Sequence, residues 1–364
     1  MSIILFIVVL VALIVVHEFG HLIAAKVFKM RVDEFGIGYP PRAMTFYRKG
    51  GTDYTLNWLP FGGFVKIFGE DGEPGAAPSA DSFAAKPKWQ QALVLVAGIA
   101  MNLVFAWVLL SITLAGGMPR TISAEEALQV ADSQIVISRV IAGSPAERAG
   151  LQAGDEVVGA QAGDTLFEGA TAESFTAFIA QGGEQGLGLT ILRDGETLIL
   201  SARPEVGTIA EDPSRAALGV GVATVTSTPV PLLEAPIEGA KVTTTATLAI
   251  GEGLIHFFGS IFTFTADLSQ VAGPIGIAGA VGDASASGLL ALLSLTAVIS
   301  INLALINLIP IPALDGGRLL FVLIEAITRR PISAKVAGAV NGIGFALLIL
   351  LMVVITASDI LKLL

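Results

Sequence analysis

The apolar run from Ile3 to Phe28 is long enough to cross a bilayer as one helix, and it carries His17-Glu18-Phe19-Gly20-His21 inside it. On a helix, positions four apart share a face, so the imidazoles of His17 and His21 can converge on one ion. Glu18, the residue after the first histidine, can serve there as general base toward the water that such an ion activates. Two imidazoles and a carboxylate are costly in hydrocarbon, and a cluster of this kind inside a span marks a functional site.

Composition agrees with a membrane setting. Of 364 residues, 53% are hydrophobic and only 14% charged, against about a quarter charged in soluble domains. The net charge of -10 argues against a nucleic-acid partner, which calls for a basic face. There is no cysteine, so a thiolate zinc site is excluded, and only three histidines exist. A third metal ligand is therefore His256 or a carboxylate. No Lys or Arg precedes Lys26, whereas Lys26, Lys29 and Arg31 follow the run. The first span is thus expected to be retained, with its N-terminus outside and its C-terminal end at the cytoplasm.

Lys26, Lys29, Arg31, Arg42, Arg48, Lys49, Lys66, Lys86 and Lys88 are nine of the 21 basic residues, which assigns the segment after the first span to the cytoplasm. Within it, Val32–Gly38, Ala43–Arg48, Asp53–Leu59 and Phe64–Phe68 are short β-prone runs separated by Pro- and Gly-rich turns. Phe61, Phe64 and Phe68 make this region apolar enough to dip into the membrane near the metal, where a strand edge could hold an extended peptide. A linker over 73–88 leads to a second span, Ala92–Leu114, whose Gly98 and Asn102 share a face and are expected to pack it on the first span.

From about Pro119 the pattern becomes that of a water-facing α+β domain. The run Ser144-Pro145-Ala146-Glu147-Arg148-Ala149-Gly150-Leu151-Gln152-Ala153-Gly154-Asp155 resembles the central signature of a PDZ domain. Strands over Ile135–Val140 and Glu156–Ala160, a helix over Ala172–Gln181 and a hairpin through Arg193-Asp194-Gly195-Glu196 complete one such unit. Residues 241–267 are expected as an amphipathic helix on the outer face, which makes His256 an interfacial residue. The run from Val271 to Ala278 reads as a turn. A third span, Leu289–Leu308, then ends in Asn307-Leu308-Ile309-Pro310-Ile311-Pro312-Ala313-Leu314-Asp315-Gly316-Gly317. Asp315, after two prolines and before two glycines, is expected on a broken, close-packed backbone and not on a helical face. As third ligand it would leave a fourth position open, as catalytic zinc requires. The bland alternative is a helix-capping carboxylate. A fourth span runs over Val336–Ala357.

Taken together, these motifs in this order resemble the site-2 protease family of intramembrane zinc metalloproteases, nearest its regulator-of-sigma-E branch, in a form with a single PDZ domain. The residues that carry the resemblance are His17–His21, Gly63–Lys66, Ala97-Gly98 with Asn102, the PDZ insert, Gly273–Ala278 and Asn307–Gly317. It implies zinc held by His17, His21 and Asp315, with Glu18 as base. It also implies Asn307 near the substrate backbone, with Pro310, Gly63 and Val65 as further substrate contacts. The implied substrates are single-span proteins trimmed beforehand on the outside, of the anti-sigma-factor type, and leftover signal peptides. The implied site of action is the bacterial inner membrane.

The expected architecture is a polytopic α-helical membrane protein with four transmembrane helices, a membrane-associated cytoplasmic β-hairpin region and an inserted extracytoplasmic PDZ domain. Its segments are residues 1–29 (first span), 30–90 (hairpins and linker), 91–116 (second span), 117–225 (periplasmic PDZ domain), 226–285 (amphipathic segment), 286–317 (third span) and 318–364 (cytoplasmic loop and fourth span). Both termini and the PDZ domain face the periplasm. A non-catalytic PDZ-bearing scaffold is the alternative, but it has no use for Glu18 or Asp315. An ion transporter would spread paired ionisable residues over several spans, whereas here they concentrate at one point.

Overall fold

The computed structural model describes residues 2–70, 79–130, 132–182, 186–193, 195–208, 214–263 and 272–363. It divides into two units, Met1–Thr113 with Leu232–Leu364, and Leu114–Pro231.

In the first unit, α1 (Ser2–Val27) is followed by two long antiparallel strands, β1 (Val32–Lys49) and β2 (Thr52–Ile67). The four short runs expected from sequence are joined in pairs within these strands. Ile37 pairs with both Leu56 and Gly63, so the 34–37 segment lies between 53–56 and 63–66, and 44–49 flanks 52–56 on the far side. The 63–67 segment is therefore an edge of this sheet. Lys26 reaches the Thr52 hydroxyl (2.5 Å) at one end of the sheet. At the other end, a Cβ on Gly62 would lie 3.1 Å from Ile14 Cδ1. The sheet thus runs along α1 for about 18 Å at 1.5 Å per residue. Leu22, Ala25, Val32, Phe35 and Ile67 close this face together with Val94 and Leu95.

A 3-10 turn (Phe83–Ala85) leads into α2 (Lys88–Ala115). Residues 73–78 of the expected 73–88 linker lie outside the described residues. Among the described residues, four helices are long and apolar enough to cross a membrane: Ser2–Val27, Lys88–Ala115, Leu289–Leu308 and Lys335–Leu361.

The second unit contains β3 (Arg120–Thr121), α3 (Ala124–Ala127), β4 (Gln134–Val140), α4 (Pro145–Arg148), β5 (Glu156–Ala162), β6 (Thr165–Leu166), α5 (Ala172–Gly182), β7 (Leu187–Arg193), β8 (Glu196–Ala202) and β9 (Val220–Thr226). Its sheet has the order β3-β9-β4-β5-β7-β8, with β6 paired to β5. Alternating inward residues Leu187, Leu189 and Ile191 meet Ile137, Phe175 and Leu218 in one apolar core. The Ser144 hydroxyl accepts from Glu147 N–H and caps α4. Buried Asp155 takes two bonds from Arg193 (2.6 and 2.8 Å) and one from Gln152 N–H (2.8 Å). Burial pushes its carboxyl pKa up, but these donors outweigh it and hold the group below the ordinary carboxylate range. β7 and β8 pair at Arg193 and Glu196 as expected, while Asp194 lies outside the described residues. Leu114 C=O accepts from Val230 N–H, so the chain enters and leaves this unit side by side.

Back in the first unit come α6 (Ala235–Phe262), α7 (Pro274–Ala286), α8 (Leu289–Leu308), α9 (Asp315–Thr328) and α10 (Ala334–Leu363). α6 sets Val242, Ala246 and Ile250, one helical stripe, against α2 and α8. Glu252 and His256 are exposed and face each other at 3.8 Å. Residues 264–267, the end of the expected amphipathic helix, are outside the description, as is Val271.

Three expectations are corrected. The Gly-Pro-Ile-Gly segment is not a turn: Pro274 opens α7, because its fixed φ and missing N–H suit a first helical position. Residues 318–328 are not a loop, because α9 begins at Asp315 itself. Asp315 therefore stands in the first turn of a helix, just beyond the broken backbone of 309–314, and not off helical structure altogether. The two glycines explain how this is possible. A Cβ on Gly316 would lie 2.2 Å from Ile309 O, and one on Gly317 would lie 2.3 Å from Ile311 O. Only glycine lets the helix start this close to the preceding strand of backbone.

Candidate metal centre

His17 and His21 project from one face of α1, both 6% exposed. The Asp315 carboxylate meets them from α9: its Oδ2 lies 2.8 Å from His17 Nε2 and 3.3 Å from His21 Nε2. The two Nε2 atoms are 3.2 Å apart. Four donors tetrahedrally placed about 2.0–2.1 Å from zinc would be separated by about 3.3–3.4 Å. The spacing of these three donor atoms thus fits zinc with one position to spare.

The surroundings fit as well. His21 Nδ1 donates to Val94 C=O at 2.8 Å, which leaves the Nε2 lone pair for a metal. His17 Nδ1 lies 3.1 Å from the side-chain amide of Asn102. Asn102 is fully buried and its Oδ1 is the amide atom left without a partner. Turning the amide over brings Oδ1 to His17 Nδ1–H, which satisfies the orphan acceptor and frees His17 Nε2 in the same way. Room for the cluster comes from glycine. A Cβ on Gly98 would sit 2.4 Å from His21 Nε2 and 2.9 Å from His17 Cε1, and one on Gly20 would sit 2.3 Å from Ala97 O. The α1 and α2 backbones touch, and any side chain at position 98 would enter the space between the two imidazoles.

Glu18 lies on the neighbouring face and accepts from Val65 N–H at 3.1 Å. A Cβ on Gly63 would lie 3.9 Å from Glu18 Cγ. The structure thus brings Gly63 and Val65 of the edge strand to Glu18, as it brings Asp315 to the histidines. Asn307 is half-buried in the last turn of α8. Pro310 lines a separate apolar cleft of about 400 Å³ with Ile343, Gly344 and Leu347 of α10. His256 is exposed on α6, 3.8 Å from Glu252. Sequence reasoning expected Gly98 and Asn102 to pack α2 on the first span, and they do; it did not foresee that the contact is with the two imidazoles themselves. Their shared helical face was visible; the two imidazoles opposite were not.

A buried pair of imidazoles and a carboxylate at zinc spacing, with a second carboxylate alongside, is chemistry for metal-assisted hydrolysis. Its setting among membrane-length helices makes the class an intramembrane metalloprotease. Comparison with known proteins agrees. The model of "Peptidase family M50" matches residues 5–351. The chain is 30% identical to the zinc metalloprotease RasP of Oceanobacillus iheyensis, over 100% of this chain and 99% of the relative. It is 30% identical to the zinc metalloprotease RasP of Shouchella clausii, over 98% of each. It is 28% identical to the regulator of sigma-W protease RasP of Bacillus subtilis, over 100% and 99%. The chain belongs to peptidase family M50, the site-2 proteases. It is accordingly a zinc metalloprotease of bacterial membranes.

Proposed function

We propose that His17, His21 and Asp315 hold the zinc ion and that Glu18 is the general base for cleavage of a peptide bond in, or next to, the transmembrane segment of a single-span protein. The observation that carries this reading is the meeting of the three zinc-spaced donors, Glu18 and the edge-strand N–H of Val65 in one place. Zinc at such a site supplies Lewis acidity, polarising the scissile carbonyl and lowering the pKa of water toward about 7. Glu18 takes the proton released by the attacking water and hands it to the departing amine. Val65 N–H holds the Glu18 carboxylate in position for both transfers. Asn102 and Val94 C=O keep the two imidazoles in the tautomer that presents Nε2.

A transmembrane helix hides its carbonyls in its own hydrogen bonds, so substrate has to unwind locally. The 63–67 edge offers the released segment a strand to pair with, and Gly63 leaves space for its backbone. Asn307 and Pro310 enter this reading as substrate contacts through the family's motif alone, Pro310 from a cleft against α10. Exposed Met44, Phe46, Trp58, Leu59 and Phe61 give the sheet an outer surface suited to lipid. The reading places the sheet toward the cytoplasm, and both termini and the 114–231 unit, taken as a single PDZ domain, toward the periplasm. There the PDZ domain excludes untrimmed substrates by bulk. The substrates are anti-sigma-type proteins already cut outside, with remnant signal peptides as a second group. The regulator name borne by the Bacillus subtilis relative points the same way.

Purified protein incubated with a pre-trimmed single-span substrate tests these roles. Glu18→Gln should retain zinc and lose cleavage by about 10²–10⁴-fold, as expected for a general base. Val65→Pro, which deletes the N–H that Glu18 accepts from, should retain zinc and cleave more slowly. Full activity in Glu18→Gln would remove Glu18 from the mechanism; full activity in Val65→Pro would remove the strand.

A further inference from the structure

We propose that Asn341 of α10 is a positioning residue for Asp315, acting through the turn that delivers it. Ile311-Pro312-Ala313-Leu314 closes with Leu314 N–H donating to Ile311 C=O at 3.2 Å. Pro312 stands at its second position, and Ala313 at its third has φ +74°. These are the marks of a type II turn, whose third position calls for glycine. Alanine is strained there because its Cβ crowds the backbone. Such strain persists only where neighbours hold it in place. The neighbour here is Asn341, whose Oδ1 accepts from Ala313 N–H at 3.3 Å.

A second tie lies one turn along the same helix. A Cβ on Gly344 would be 2.5 Å from Pro312 Cβ and 2.6 Å from Pro312 O, so α10 presses its bare backbone against the turn. Much of α10 is exposed, apart from this contact and from Ile355 and Asp359, which pack on α7, where Asp359 accepts from Gly276 N–H at 2.9 Å. Asn341 is half-buried and lines a cleft with Lys88, Arg318 and Glu325, where an amide is costly unless it is hydrogen-bonded. The residue after the turn is Asp315, with its Oδ2 2.8 Å from His17 Nε2. A relaxed turn would swing that carboxylate away from the imidazoles while leaving α1 and α2 unchanged.

The inference rests on Asp315 being a zinc ligand, and the experiment separates the two claims. Zinc affinity of the full-length protein is measured by competition with a chelator, for wild type, Asp315→Ala, Asn341→Leu, Ala313→Gly and the Ala313→Gly/Asn341→Leu double variant. Leucine is close in size to asparagine and favours an apolar helix, so α10 should still form. Asn341→Leu should weaken zinc binding about tenfold or more, the usual scale for partners behind a ligand. Ala313→Gly should bind at least as tightly as wild type, because glycine adopts the turn without help. The double variant should return to within about threefold of wild type, since glycine removes the strain that Asn341 offsets. A residue that merely docked α10 would not be rescued by glycine in a different segment. Wild-type affinity in Asn341→Leu, or no recovery in the double variant, overturns the proposal while leaving the ligand assignment standing if Asp315→Ala loses zinc. Unchanged affinity in Asp315→Ala overturns both. Should Asn341→Leu not be recovered folded, recovery of the double variant with near-wild-type affinity supports the claim, and loss of both overturns it.

Discussion

At the scale of single residues, the metal centre depends on two atoms that are not there: the missing Cβ of Gly98 and that of Gly20. Gly98→Ala puts a methyl group 2.4 Å from His21 Nε2 and 2.9 Å from His17 Cε1, against both buried imidazoles. Alanine favours helix over glycine by about 1 kcal/mol, so α2 should form at least as well while the imidazoles are displaced. The expected outcome is a folded protein with zinc affinity reduced at least tenfold, read by metal content after dialysis against a chelator. Wild-type zinc content would mean that the imidazoles have room to spare. The histidines themselves were legible in the sequence because the 3.6-residue period is local: four apart is one face whatever the fold. Gly98 and Asn102 were legible only as a pair sharing a face. That this face meets α1 was expected; that it meets α1 at the imidazoles is fixed by the crossing of α1 with α2, which nothing local in the sequence encodes.

Elements show the same division between local and distant information. The spans, β4, β5, the β7–β8 hairpin and α5 follow from apolar periodicity and turn residues, and they appear within a few residues of the expected bounds, whereas β3, β6 and β9 were not anticipated. α7 and α9 were missed for one reason: glycine and proline at a helix start look like a turn when read alone. Pro274 is at a first helical position, and Gly316 and Gly317 serve close approach to residues 308–311. In the inserted unit, the element-scale prediction concerns Asp155, which ties the start of β5 to the end of β7 through Arg193. Its carboxyl titrates lower folded than unfolded, where about 3.9 applies. The pair therefore contributes its full stability above the unfolded value and loses it as pH falls through the depressed folded value. Asp155→Asn should destabilise this unit by about 2–3 kcal/mol at pH 7, less than a fully buried pair because Arg193 is partly open. The difference from wild type should shrink in acid. Hydrogen exchange at β5 and β7 across a pH series checks this; a difference that grows in acid would reverse the sign of the argument.

For the molecule as a whole, the inserted unit carries its own apolar core, and its entry and exit lie side by side, joined by Val230 N–H to Leu114 C=O. Such an insertion can be removed with a short linker without pulling on the helices that bear it. Deleting 117–225 should leave zinc bound and should allow cleavage of substrate that still has its outer domain. Loss of cleavage of the trimmed substrate instead would make the unit a recruiting module and not a size filter. The helical body is judged most directly by the zinc itself. X-ray absorption at the zinc edge of the purified protein should show one zinc per chain with two imidazole ligands and only nitrogen or oxygen donors at about 2.0–2.1 Å, and His21→Ala should lower the imidazole count or empty the site. A protein without zinc, or zinc with an imidazole count indifferent to His21, would contradict the account at its centre.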